Sequence, residues 1–172
     1  MSAIAKPVRL ERIAPRQRNC MTPAVVEDDP GLVLVDATWG TIQPMTVAPG
    51  VRTIGELELI EHLQAGRQLI DTRREVFVAE GTIPGAVPID HTEIAEHLDA
   101  IDADQPVALF CNGPQCAATP DAVRRLLAAG RPPELILYYR GGIHDWITLG
   151  LPVERGRSAA ASVGRPTDET CH

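Results

Sequence analysis

Apolar residues along this chain keep two rhythms, and the changes between them mark out its elements. Short continuous runs at Gln68 to Asp71, Val87 to Ile89, Val107 to Phe110 and Leu135 to Tyr139 have the length and composition of buried strands. Between them, apolar positions recur every three or four residues, as on one face of a helix. Ile54, Leu57, Ile60 and Leu63 predict a helix introduced by a T-x-x-E capping box at Thr53 and Glu56 and closed by Gly66 at the C′ position. Val76, Phe77 and Val78 predict one helical turn inside the charged segment Thr72 to Gly81, and Thr82 to Ala86 reads as a turn. His91 to Leu98 has a helical pattern with Ile94 and Leu98 on one face, and Asp102 and Asp104 mark a loop. A helix from about residue 116 puts Val123, Leu126 and Leu127 on its core side and stops at Gly130. Pro120 fits only in its first turn, where the missing N–H has no intrahelical partner to lose. Gly141-Gly142 opens a last short helix that carries Trp146 and ends at Gly150.

Strands alternating with helices predict an α/β fold with a mainly parallel sheet. Ligands in such sheets sit beyond the carboxyl ends of the strands, and Asp71, Cys111 and Arg140 all fall there. Upstream, residues 1–30 are polar, interrupted by Pro7, Pro15, Pro23 and Pro30, and aperiodic. Gly31 to Asp36 and Thr41 to Val47 are strand candidates, and Trp39-Gly40 between them suggests a hairpin, although Pro44 weakens the second run. The chain thus divides into an N-terminal extension at 1–50, a domain at 51–153 and a flexible tail at 154–172. The tail is expected to be solvated from Glu154 onward.

Length and composition narrow the functional classes. The 172 residues suit one domain, and 44% hydrophobic residues suffice for a core that 3% aromatics leave to Leu, Ile, Val and Ala. A formal charge of −7 disfavours nucleic-acid and polybasic membrane partners. The distribution is uneven, because Lys6, Arg9, Arg12, Arg16 and Arg18 face only Glu11 in the opening stretch. No apolar run approaches the ~18 residues of a membrane span. The N-terminus lacks the apolar core of a secretory signal, so a cytoplasmic, reducing location is expected. There Cys20, Cys111, Cys116 and Cys171 do not read as a disulfide framework. No metal or cofactor is expected: Cys171-His172 is a weak ligand pair, and His91, His97 and His144 lack ligand spacing.

The chemistry concentrates at residues 106–119, PVALFCNGPQCAAT. A strand delivers Cys111 to its end; Asn112, Gly113, Pro114, Gln115 and Cys116 turn; an alanine-rich helix follows. Unpaired loop and helix N-terminal amides can converge on one anion there, and such settings lower a cysteine pKa from about 8.5 to roughly 3.5–7.5. A buried, purely structural cysteine is the alternative.

Three segments, in order, resemble the rhodanese family of sulfurtransferases. LIDTRREVFVAEGTIPGAVPI is similar to the family's strand, D-x-R and G-H-I-P-G-A segment; VALFCNGPQC to its strand and active-site loop; YYRGGIHDWITLGLPV to its G-G-x-x-x-W…G-x-P-V ending. The resemblance spans about residues 51–153. It implies a three-layer fold of about five mostly parallel strands flanked by helices. It also implies a nucleophilic Cys111 that takes a sulfane sulfur from a donor such as thiosulfate. The resulting persulfide would lie among the amides from Asn112 to Ala117, for collection by a thiol or cyanide. Asp71 and Arg73 read as a structural pair tied to Glu75 or Glu80.

Three departures from the family pattern stand out. Gly113 comes one position early and is followed by Pro114, Cys116 stands where an Arg is frequent, and Thr82 replaces a His. Arg140 could supply the missing loop cation, or be a solvated surface residue. Cys116 could be a structural filler, a resolving thiol that attacks the Cys111 persulfide, or half of a redox-sensing pair. A non-catalytic redox or persulfide-sensing module is the second functional expectation. Phosphatase or arsenate-reductase chemistry is disfavoured, because it needs C-x5-R and no arginine follows Cys111 before Arg124.

Overall fold

A computed structural model describes the backbone of residues 24–26 and 29–34 and the whole of residues 41–155. Two strands, β1 (Ala24–Val26) and β2 (Asp29–Leu34), form an antiparallel hairpin with Ala24 opposite Leu34. The expected hairpin is therefore displaced. The partner of the Gly31 run precedes it, and Thr41 to Val47 holds no strand, as Pro44 within it foretells.

The main sheet comprises β3 (Arg52–Ile54), β4 (Leu69–Asp71), β5 (Val87–Pro88), β6 (Val107–Phe110) and β7 (Ile136–Tyr139) in the order β3-β7-β6-β4-β5. Every pairing is parallel. Helices α1 (Glu56–Gln64), α2 (Glu75–Glu80) and α3 (Ala118–Ala128) lie between the strands in sequence and α4 (Gly142–Thr148) follows β7, with single 3-10 turns at Ile94–Glu96, Leu98–Ala100 and Pro133–Leu135.

Both faces of the sheet are covered, which is why β6 reads as an unbroken apolar run. Alternation along it divides the core. Val107 and Leu109 join Ile136, Tyr138, Val123 and Leu126 beneath α3, while Ala108 and Phe110 join Leu59, Leu137, Ile143 and Trp146 on the face covered by α1 and α4. On the second face the Tyr139 and Trp146 rings meet edge to face, centroids 6.4 Å apart, and the Trp146 indole donates to the Pro152 carbonyl at 2.7 Å.

Several local expectations shift by a residue or two. Thr53 does not cap α1. It lies in β3 and its hydroxyl donates to the Met45 carbonyl, while Gly55 is the N-cap and its N–H donates to Glu58 Oε2 at 3.1 Å. Leu57 is exposed, and Leu59 and His62 are the residues α1 buries. Gly66, at φ +71°, does close α1. His91 to Leu98 folds as 3-10 turns that bury Ile94 and leave Leu98 exposed.

At the end of β4, Asp71 and Arg73 are buried and joined by three side-chain contacts of 2.6–3.2 Å. Arg73 Nη2 also donates to the Gly81 carbonyl, and the Thr82 hydroxyl donates to Asp71 Oδ2, both at 2.6 Å. Thr82 therefore serves as a short donor to the buried carboxylate.

Residues just outside 51–153 also make ordered contacts. Val47 and Ala48 pack against the core beneath α3, and Glu154 exchanges backbone hydrogen bonds of 2.8 and 2.9 Å with Thr82. Ordered pairing thus runs through Glu154, the first residue assigned to the tail.

Candidate active site

The site is built where β6 gives way to α3, at the carboxyl edge of the sheet's central strand. Two carbonyls leave the end of β6 toward α4: the Ile143 N–H donates to Cys111 O at 2.9 Å and the His144 N–H to Asn112 O at 3.0 Å. This close approach requires glycine at 142. Its φ is +64°, and a Cβ there would lie 2.4 Å from the Cys111 carbonyl oxygen. Because a trans peptide directs its C=O and N–H to opposite sides, committing the Cys111 carbonyl to α4 turns the Asn112 N–H the other way, toward Cys116.

Helix α3 supplies the remaining donors. Ala117 is its N-cap and has no side chain to cap with, so the first-turn amides need other acceptors. The Ala118 N–H hydrogen-bonds the Cys116 sulfur, and the Thr119 N–H and hydroxyl bond that of Cys111. Pro120, third in the helix, has no N–H to satisfy. The two sulfurs act as the cap of α3.

These sulfurs differ in environment. Cys111 is 2% exposed, and its one thiol proton is shared between the Cys116 carbonyl, 3.6 Å away, and the adjoining Cys116 sulfur. Cys116 is half-buried and lines a cleft of about 240 Å³ together with Ile42, Asn112, Gly113, Pro114, Gln115 and His144. Burial pushes the Cys111 thiol up. The adjoining Cys111 thiol, then the Ala118 and Asn112 amides and the His91 charge, bring Cys116 down to about 6 against the burial that opposes them. Burial thus disfavours a charge on the inner sulfur, and the donors favour it on the outer one.

A second layer holds the first. The Thr72 hydroxyl donates to Phe110 O at 2.8 Å and lies 2.9 Å from Thr119 Oγ1. With its own proton so committed, Thr72 can only accept from Thr119, whose single proton is divided between that oxygen and Cys111. His91 Nδ1 lies 2.9 Å from Asp121 Oδ2, which also accepts from Arg125 at 2.8 Å. Over the loop, the Gln43 N–H donates to Pro114 O at 2.7 Å. Arg140 Nε and Nη2 hold the Gln43 carbonyl at 3.2 and 2.9 Å.

Of the residues singled out in the sequence, the structure gathers Cys111, Cys116, Asn112, Gly113, Pro114 and Gln115 around one loop, with Ala117 as the N-cap of α3 behind them. The Cys116 N–H turns back to Gly113 O at 2.9 Å, and the Asn112, Ala118 and Thr119 N–H groups face sulfur. Arg140 stands beside the loop on the Gln43 strap. Thr72, Ala118, Thr119 and Ile42 are not singled out by the sequence, and His91 is weighed there only as a metal ligand and set aside. The start of α3 two residues later than expected is the signal that brings the 118 and 119 amides into play.

The family model for the rhodanese-like domain matches residues 56–149. The chain belongs to the rhodanese-like family. Over 104 residues it is 35% identical to the HTH-type transcriptional regulator Rv0324 of Mycobacterium tuberculosis, covering 60% of this chain and 45% of the regulator. The chain thus spans under half the length of that relative. Among solved structures it is similar in fold to a protein from Bacillus halodurans (TM-score 0.55, 20% identity, 67% of this chain and 85% of that one). It is also similar to the rhodanese-like domain of an Anabaena protein (TM-score 0.52, 19% identity, 70% and 91%). A third likeness is to a thiosulfate sulfurtransferase from Pseudomonas aeruginosa (TM-score 0.50, 23% identity, 63% and 21%). Among the described residues no helix is long and apolar enough to cross a membrane, and no group of three or more His, Cys, Asp or Glu forms a metal site.

Proposed function

We propose that this rhodanese-like domain is a sulfurtransferase. It moves a sulfane sulfur from a small anionic donor such as thiosulfate to a thiol or cyanide acceptor, and carries the sulfur as a persulfide on Cys111. The observation that carries this reading is the pair of sulfurs at the end of β6, faced by the Asn112, Ala118 and Thr119 N–H groups. An anionic sulfur bound there completes the hydrogen bonding of the helix start and gains from its dipole. No base outside the pair is needed, because Cys116, brought down to about 6, adjoins the Cys111 thiol and can take its proton. The intact peptide mass after thiosulfate treatment tests this. One added sulfur on the peptide that contains Cys111, with thiosulfate:cyanide turnover lost in Cys111→Ser, is the expected result. Wild-type protein that gains no sulfur and turns over no cyanide would overturn it.

A second reading, a non-catalytic redox or persulfide sensor that uses the same two cysteines, is supported by the similarity to a transcriptional regulator. It predicts negligible turnover together with a Cys111–Cys116 disulfide formed under mild oxidation.

A further inference from the structure

We propose that sulfur enters this site through Cys116 and is then relayed to Cys111, so that the outer cysteine meets the donor and the inner one stores the cargo. The proposal rests on the sulfurtransferase reading and assigns its first bond-making step to a residue other than the one at the strand end.

The geometry points outward. Cys116 lines the cleft over the loop, and Cys111, 2% exposed, is not among the residues that line it. A divalent anion such as thiosulfate must be partly stripped of water to reach a sulfur, and the stripping costs least at the cleft wall. The Cys116 sulfur is also the better prepared nucleophile, since the Ala118 and Asn112 amides and the Cys111 thiol all donate to it. Cys111, by contrast, is set to receive. Its sulfur adjoins that of Cys116, and the Thr119 N–H and hydroxyl offer an anion there two donors shielded from solvent. Shielding also protects a stored persulfide from stray acceptors.

The chemistry closes without an added reagent. The Cys116 thiolate attacks the outer sulfur of thiosulfate, forming a Cys116–S–S⁻ persulfide as the donor's S–S bond breaks and sulfite departs with its electron pair. The Cys111 thiol then gives its proton to the terminal sulfur. The resulting Cys111 thiolate attacks that sulfur, and the Cys116 thiolate leaves. The products are a Cys111–S–SH persulfide and the starting Cys116 thiolate. Nothing is oxidised or reduced beyond the sulfane transfer itself.

Rapid-quench mass spectrometry of sulfur loading from thiosulfate distinguishes the steps in wild type, Cys111→Ser and Cys116→Ser. Cys111→Ser should still take up one sulfur, held on Cys116. Cys116→Ser should load Cys111 at least about tenfold more slowly, with circular dichroism matching the wild type. A Cys116→Ser protein that loads as fast as wild type, or a Cys111→Ser protein that takes up no sulfur, overturns the relay while the transferase reading stands. A wild type that loads nothing overturns both. A measurement on unmutated protein guards against misfolded variants: brief treatment with limiting iodoacetamide at pH 7 should modify Cys116 before Cys111, and the reverse order overturns the proposal.

Discussion

Gly142 lies against Cys111 so closely that a Cβ on it would stand 2.4 Å from the Cys111 carbonyl oxygen, 2.6 Å from Asn112 C and 2.7 Å from Gly113 N. All three atoms are backbone, so nothing there can swing aside. This contact sets which way the peptides after β6 face, and with it the donor that reaches Cys116.

Gly142→Ala should therefore harm both stability and chemistry. The left-handed φ and the overlap together should cost about 1–3 kcal/mol. Sulfur loading should fall further than stability accounts for, because the Asn112 amide is displaced. Gly150→Ala is the control: its φ is +73° but no atom lies within 4 Å of the added Cβ, so it should lose about 1–2 kcal/mol and keep its loading rate. Urea denaturation and sulfur loading of the two variants check the contrast. Equal loading in both would show that the contact does not shape the site.

The reactivity of Cys116 should rise with pH around a midpoint near 6, since its thiolate forms there rather than near 9. The largest cause is the Cys111 thiol, which donates to the Cys116 sulfur. Cys111→Ala should raise the midpoint, leaving the Ala118 and Asn112 amides and the His91 charge, itself paired with Asp121, as the remaining lowering influences. For stability the sign follows from a folded pKa below the unfolded one. This contribution is fully present above pH 9 and is lost as pH falls toward 6. Iodoacetamide rates from pH 5 to pH 9 on both proteins measure the shift, and an unmoved midpoint would refute the assigned cause.

Tyr138 is buried in the core beneath α3, yet its hydroxyl has no hydrogen-bond partner among the described residues. A buried hydroxyl left unpaired costs about 1–3 kcal/mol, and removing it at constant shape returns part of that. Tyr138→Phe should thus leave the unfolding free energy from urea denaturation unchanged or raise it by up to about 1 kcal/mol. A loss of more than about 1 kcal/mol would mean that the hydroxyl has a partner in solution.

Arg140 holds the strap over the cleft by the Gln43 carbonyl while Gln43 itself grips Pro114. It is a cation beside a loop whose frequent arginine position is occupied by Cys116. Arg140→Ala should raise the Michaelis constant for thiosulfate severalfold and lower turnover less. An unchanged constant would leave Arg140 as an anchor of the strap alone.

Much of this architecture is legible along the chain because it depends on local rhythm. The runs at Leu69, Val107 and Ile136 are apolar on both faces since both faces are covered, and Gly66, Gly130 and Gly150 end helices for reasons of backbone conformation alone. The placement of Cys111 at a strand end before a helix is of the same kind. Where two signals lay close together, local reading chose wrongly: Thr53 with Glu56 imitates a cap, but parallel pairing of Thr53 with Tyr138 draws that residue into β3.

The sequence by itself determined the order of β4 to β7 and of the four α-helices, the family and the loop that bears two cysteines, since each is written in neighbouring residues. Which sulfur carries the charge was decided only by tertiary structure. It depends on α4 taking the Cys111 and Asn112 carbonyls, on α3 aiming the Ala118 and Thr119 amides, and on the depth at which each sulfur lies. Thiol acidity is a sum of burial and donors contributed by segments far apart in the chain, and no local pattern of residues records that sum.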